Sequence, residues 1–346
     1  MSDLASRNEV MLLAHEMSID EADLNFLVES PAADLRDLRQ AMSNAMFARQ
    51  EPRFQRLAAL SKLLPSAVTA KIAEIALGPV ISGRVAGVLD PKDAAKLATG
   101  LKPDFLARLT PSLDPQRVAP IVERLPHDLI IRIGKILVAE HKHLVLGRFV
   151  AVAPMPAVLG VIEGESASQT LEIAMFCEDK SALQAVVDEL DDEFTEAIVH
   201  AAALGDALDD ALTLLEFMDA RTCGRLVAHA ASLDRPTRER VVSRVLELDA
   251  LDSVVVAFST MTRAQLTPLV NLDAIRAPGV IDSFIVRAHR LGIPEAMVNL
   301  LLALDAETVV AAKGSEQLKL VGIREWILGA ATSSAGSVEG VLDSIG

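Results

Sequence analysis

Aromatic residues make up only 3% of this chain of 346 residues, with no Tyr and a single Trp, Trp326. The interior must therefore be filled by Ala, Leu and Val, which suits helix packed on helix. Strand signals are as scarce: the longest β-branched run, Val254 to Val256 within SVVVAF, is too short to argue a sheet against its surroundings. Two cysteines, Cys177 and Cys223, have neither pairing nor metal spacing, which excludes a disulfide framework and reads as two small core residues in a reducing compartment. Basic residues are in deficit, 33 against 48 acidic ones for a net charge of −15. That balance opposes non-specific binding to nucleic acid, which depends on neutralising phosphates, and disfavours anionic membrane surfaces.

Long uninterrupted apolar runs are missing as well. The segment from His143 to Ile162 is the strongest candidate, but Arg148, Pro154 and Pro156 fall inside it, so it reads as two buried helices and not as a membrane span. The opening MSDLASRNEV has no basic or apolar region of a secretory signal, and a cytoplasmic protein is expected. Nucleophile elbows, H-E-x-x-H zinc motifs, P-loops and dinucleotide fingerprints are absent; Gly134-Lys135 lacks the earlier glycine that a phosphate loop requires. A non-catalytic chain without a cofactor is the expectation.

What the chain has is a repeat. Residues 89–136, written in twelves, read LDPKDAAKLATG, LKPDFLARLTPS, LDPQRVAPIVER and LPHDLIIRIGKI. Leucine recurs in the first column at Leu89, Leu101, Leu113 and Leu125. Ala94, Leu106, Val118 and Ile130 fill the sixth column, and Leu97, Leu109, Ile121 and Ile133 the ninth. Two apolar columns three residues apart share one helical face. Pro91, Pro103 and Pro115 stand where a helix begins, since proline presets φ and lacks only an N–H that would be unsatisfied there. Asp90 and Asp114 precede two of them as N-caps. Pro126 comes one place early, and Pro120 falls within its unit, where it costs a hydrogen bond. Helices this short are marginal alone, so neighbours must stabilise one another by stacking. The fold predicted is all-α, a right-handed superhelix (α-solenoid) of short stacked helices.

In chain order, residues 1–79 read as an N-terminal helical cap of four or five helices. Ser18 to Glu21 forms a capping-box pattern, and Pro31 opens the longest amphipathic segment. Residues 80–165 are the repeats proper. Residues 164–168, GESAS, are the most loop-like spot and a candidate hinge. The same grammar continues over 166–310 with drifting unit lengths and helix starts expected at Ser181, Asp191, Asp206, Asp219, Asp234, Thr262, Asp273, Ile293 and Asp305. Residues 311–346 read as a closing helix, Gln317 to Leu328 with Trp326 over the last layer, and a mobile tail in which Val338 to Ile345 forms at most a loose turn.

Candidate ligand-binding residues are few. Met42, Met46 and Phe47 form an apolar stripe at helical spacing, and Phe149 and Met155 lie in the apolar 149–162 segment; all five read first as core and second as a surface for an apolar ligand. Glu140, His141 and His143 are the one histidine cluster and the weak candidates for a metal site, but i,i+2 spacing on a helix sends the two rings to different faces, so a metal there needs ligands from a neighbouring repeat. The acidic run at Asp188, Glu189, Asp191, Asp192 and Glu193 reads as a helix N-terminus favoured by its dipole and only secondarily as a weak cation site.

The pattern L-D-P-x-x-A-A-x-L at 89–97, followed by L-K-P-x-x-L-A-x-L at 101–109, resembles the N-terminal cytoplasmic helical domain of MgtE-type magnesium transporters and, more distantly, the helical repeats of flagellar switch proteins. The resemblance covers about residues 80–165. It implies a right-handed superhelix and, in the transporters, a magnesium-sensing role; this chain has no membrane helices and no α/β regulatory module, so no metal ligands carry over. Three uses are expected in order: a scaffold or adaptor holding a protein partner, a carrier or sensor of an apolar small molecule, and a Mg²⁺-responsive regulatory module.

Overall fold

The structure, a computed structural model, describes residues 2–17, 19–61, 64–331 and 334–345. Among them the chain is all-α, and SVVVAF lies inside helix α17 (Leu251–Phe258). The chain divides into two compact units, Met1–Val186 and Val187–Gly346.

The repeat units of the first body are helices. α5 (Pro91–Ala98), α6 (Pro103–Leu109) and α7 (Pro115–Val122) each begin on the recurring proline. Asp90 and Asp114 cap α5 and α7, each carboxylate accepting at 3.0 Å from the amide two residues on. α8 (His127–Ala139) starts directly after Pro126, so the early proline is the cap itself. Pro120 sits inside α7, which ends two residues later at Val122.

These helices do not pack chiefly on their sequence neighbours. α5 packs on α7 and α6 on α8, so each helix stacks on the next but one. Ala94, Ala95, Val118 and Ile121 make the first contact, and Phe105, Leu106, Leu109 and Leu129 the second. The leucine column now has a physical meaning. Leu113 and Leu125 touch both clusters, so the first residues of the third and fourth units tie one layer to the other, while Leu89 packs on the first cluster and Leu101 on the second.

The pattern extends both ways. Upstream lie α3 (Ser66–Ile72), a π-helical turn (Ala73–Leu77) and α4 (Gly78–Ala86), with α3 on α5 and α4 on α6. Downstream, α9 (His143–Phe149) packs on α11 (Ala167–Met175), and α8 on α10 (Met155–Ile162). Gly147 shows how closely such pairs approach: a Cβ there would lie 2.6 Å from both the Ile173 carbonyl oxygen and the Phe176 Cβ.

The N-terminal cap holds α1 (Ser2–Met17), a 3₁₀ segment (Glu21–Leu27) and α2 (Ala32–Ser61), a helix of 30 residues that runs through Pro52. Ser18 of the expected capping box lies outside the described residues; Asp20 is the cap of the 3₁₀ segment, accepting from the Ala22 amide. Val10, Leu13 and Ala14 of α1 pack on Leu24 and Leu35, and Phe47, Phe54 and Ala58 of α2 pack on Val85 of α4.

The break between units falls within α12 (Lys180–Glu189) and not at GESAS, where Ser166 caps α11 through the Gln169 amide. The second unit holds α13 (Asp192–Leu204), α14 (Leu208–Leu215), α15 (Ala220–Ala230), α16 (Arg235–Glu247), α17, α18 (Arg263–Val270), α19 (Asp273–Arg276), α20 (Val280–Leu291), α21 (Pro294–Ala303), α22 (Ala306–Ala312), α23 (Val321–Ala330) and α24 (Ala335–Ile345). Asp191, Asp219, Asp234, Thr262, Ile293 and Asp305 are N-caps where the sequence places them. α14 starts one residue later than Asp206 suggests, and the cap of α12 is Asp179, which accepts from Ser181 and Ala182.

Next-but-one stacking runs from α13 through α15 to α17 and then lengthens by a helix: α16 stacks on α19 and α19 on α22, α17 on α20, and α18 on α21. Side chains of one repeat cap helices of the next. Glu239 accepts from the Asp273 and Ala274 amides, and Asn271 accepts from the Asp305 amide while donating to the Ala303 carbonyl. Where a mobile tail is expected from the sequence, α24 packs on α21, α22 and α23, with Val338 and Leu342 buried. Its Ser- and Gly-rich composition conceals three well-spaced aliphatics, Val338, Leu342 and Ile345, on one face.

Candidate functional site

The five apolar candidates do not converge on one another. Met42 packs beside α1, Phe47 is buried against Phe54 and α4, and Met46 points outward. Phe149 bridges clusters formed with α7 and α8, and Met155 stands at the first turn of α10. Phe47 does line one small pocket, with Ser43, Arg84, Ser112 and Arg117 among its other walls. At about 20 Å³ it has room for roughly one water. The Arg117 guanidinium lies 4.0 Å from the Phe47 ring centroid and bonds Asp114 at 3.0 Å, so its charge is already engaged.

The helical spacing expected of the histidine cluster does not apply, because His141 lies in the turn between α8 and α9 and its ring meets that of His143 edge to face, centroids 5.7 Å apart. His143 is buried with Nδ1 2.5 Å from Glu172 Oε2, while His141 is exposed with φ of 53° and Glu140 ends α8. Among the described residues no group of three His, Cys, Asp or Glu side chains is placed to hold a metal ion. Glu172, on α11 and 29 residues from His143, is a partner that no spacing rule could have named. The acidic run is similarly structural: Asp188 accepts from the Thr222 hydroxyl at 2.8 Å, and Asp191 caps α13 through the Phe194 amide at 2.7 Å.

A buried charge cluster in the first unit escaped the sequence reading. Glu9 and Glu16 lie on one face of α1, and Arg36 and Arg39 face them from α2. Arg148 of α9 and Glu178, just before α12, complete it. Arg39 and Glu9 are each only 3% exposed. Arg39 bonds Glu9 at 3.1 Å, Glu16 at 3.2 Å and Glu178 at 2.8 Å, and Arg148 bonds Glu16 at 2.6 Å and Glu178 at 3.2 Å. Burial opposes the Arg39 charge, but Glu178 and Glu9 outweigh it and push the guanidinium above its ordinary range. The cluster fastens α1 and α2 to α9.

Both cysteines are free and buried. Burial pushes Cys177 up to about 11 and Cys223 up to about 11, so both are protonated near neutral pH and lack the thiolate that reacts.

One surface does stand out. Along α3 and the π-helical turn, Val68, Ile72 and Ile75 fall at i, i+4 and i+7 and are 45%, 40% and 72% exposed. Leu60 and Leu64 before them and Val80 and Ile81 after them are exposed too. The opposite face of the same segment is buried: Ala70 is in the core and Ala73 packs against the α6 cluster. π-Helical turns are uncommon and concentrate at functional positions.

Comparison with known proteins returns no match among family models, curated proteins or solved structures. The class is therefore the one the fold defines, an all-α protein of short helices stacked mostly next but one. No helix of the described residues is long and apolar enough to cross a membrane.

Proposed function

We propose that this chain is a non-catalytic, cytoplasmic helical scaffold that holds a protein partner, its stacked helices following the right-handed winding that the resemblance at 80–165 implies. One observation carries the reading: a helix opening the stack leaves Val68, Ile72 and Ile75 in solvent. Terminal repeats of stacked arrays normally present a polar outer face, because an apolar one invites association. Buried ion pairs, capped helices and protonated thiols elsewhere support structural duties for the remaining polar groups.

The test is photo-crosslinking in the cells that make the protein, with the reactive residue placed at Ile72 and, separately, at the exposed Leu204 and Val310. A protein adduct of discrete mass from at least one position supports a scaffold. Adducts from none, with only lipid-extractable material attached, overturn it in favour of an apolar small-molecule carrier.

A further inference from the structure

We infer that the outer face of α2 seats an acidic helix of a protein partner, whose carboxylates meet Arg49, Arg53 and Arg56. This rests on the scaffold reading for the partner being a protein, and it adds a contact that does not involve the α3 stripe. Three observations on α2 itself converge. The first is which side of the helix is free. Phe47, Phe54 and Ala58 bury one side of α2 against Val85 of α4. At about 3.6 residues per turn, Arg49, Arg53 and Arg56 project from the opposite side, and all three are exposed. Met46 and Leu60, 46% and 58% exposed, stand at the two ends of the same row. Ala45, Ala48 and Ala59 border it in solvent, so the surface beside the guanidinia is low enough for another helix to come close.

Charge is the second. The chain has a net charge of −15, yet none of Arg49, Arg53 and Arg56 is ion-paired among the described residues. Over residues 41–60 the one acid is Glu51, four residues on from Phe47 and so on the buried side, where it accepts from Gln55 at 3.0 Å. α4, packed against this half of α2, has Arg84 as its single charged residue. Glu9 and Glu16 of α1 are held by Arg36, Arg39 and Arg148. The second unit offers the contrast: Arg244, Arg276 and Arg287 are all paired with aspartates there. A row of unanswered guanidinia calls for carboxylates on the incoming surface.

The third is spacing and reach. Along the helix axis the arginines follow one another at about 6 Å and then about 4.5 Å, intervals that carboxylates at i, i+4 and i+7 of a second helix reproduce. Alternate carboxylates of a strand recur evenly at about 6.6 Å and fall out of step. Screening confines attraction to about 8 Å at physiological ionic strength, so a single helix laid here feels this row alone. A bilayer or a nucleic-acid duplex extends over much more of a chain that is acidic overall, and is repelled by it. Polybasic membrane anchors also present about four to eight bases, more than this row has.

Two labelled alanine-based helical peptides of identical composition test this. One has its glutamates in a row at i, i+4 and i+7 with a leucine at either end; the other has the same residues spread around the helix. Both are titrated against the full natural chain and against the full chain with Arg49→Gln, Arg53→Gln and Arg56→Gln. A control with Arg124→Gln, Arg221→Gln and Arg263→Gln removes equal charge elsewhere, and circular dichroism checks that both variants keep their helicity. The row peptide is expected to bind the natural chain at least ~10-fold more tightly than the spread peptide does, and at least ~10-fold more tightly than it binds the α2 variant, with the control unchanged. Equal affinity for the two peptides overturns the proposal on the natural chain alone, whether or not the variants fold. Undiminished binding by the α2 variant, or an equal loss in the control, overturns it too. So does binding of phosphatidylcholine–phosphatidylglycerol vesicles or of a DNA duplex that the α2 variant loses. Each of these results removes this site and leaves the scaffold standing, since none involves Ile72, Leu204 or Val310; protein adducts from none of those three positions remove both.

Discussion

Arg39 on α2 places its guanidinium 2.8 Å from the carboxylate of Glu178, 139 residues away in sequence, and the same side chain reaches Glu9 and Glu16 on α1. This contact fastens the N-terminal helices onto the repeats. Removing one partner of a buried ion pair leaves an uncompensated charge, which typically costs about 3–5 kcal/mol. Arg39→Ala is expected to lose that much in urea unfolding and to raise hydrogen exchange first in α1. A combined Arg39→Met, Glu9→Leu change, which removes charge from both sides, should lose less than the single substitution, although it still leaves Glu178 without that contact.

Gly147 sets the distance between α9 and α11. A methyl group there would meet backbone and Cβ atoms at 2.6 to 2.7 Å, with no flexible side chain to give way. Gly147→Ala is expected to destabilise the first unit by about 1–3 kcal/mol, as overpacking does. Gly329→Ala, a helical position with nothing within 4 Å of the new atom, should be neutral or slightly stabilising. Thermal unfolding of the two variants in parallel makes the comparison.

Cys177 and Cys223 should label slowly. Both are held protonated by burial, with values pushed up to about 11 from a reference of 9.0. Iodoacetamide at pH 8 is expected to modify neither in the native chain within the time that it modifies both in urea. The linkage sign follows: thiols whose folded values are raised contribute stability that is complete below their unfolded range near pH 9 and is lost as pH rises toward 11. Alkaline unfolding should therefore begin in that window.

Several cap and stack aspartates predict the opposite edge of the pH profile. A hydrogen bond from Ser181 lowers Asp179, one from Thr237 lowers Asp234, and one from Arg244 lowers Asp209. At Asp305 burial pulls upward, but the Thr308 amide and hydroxyl and Arg276 overcome it and hold the carboxyl low. Groups lowered on folding give stability that is present above the unfolded carboxylate value of about 4 and lost as pH falls below it. Asp305→Ala should cost about 1 kcal/mol at pH 7 through the lost cap of α22, and that difference should shrink on acidification below pH 4. Chemical denaturation at pH 7 and pH 3 measures both.

The local grammar of this fold was legible in the sequence. Proline at a helix start and aspartate before it act within one turn, so Pro91, Asp90 and Asp234 fixed their helices from nearest neighbours alone. The all-α class followed from the same signals. What could not be read was contact across repeats. Glu172 meets His143, and Glu178 meets Arg39, only because stacking brings distant turns together. α20 was missed because Gly279 at φ of 81° opens it without a side-chain cap. The exposed stripe was hidden for a related reason: Val68, Ile72 and Ile75 look like any core face until the neighbour that would cover them is found missing.

Native mass spectrometry of the chain isolated gently from its own cells tests the central claim most directly. The account predicts a stoichiometric protein held by the natural chain and released by Ile75→Glu. A chain that flies bare, or with only a small apolar molecule attached, and is indifferent to Ile75→Glu would contradict it.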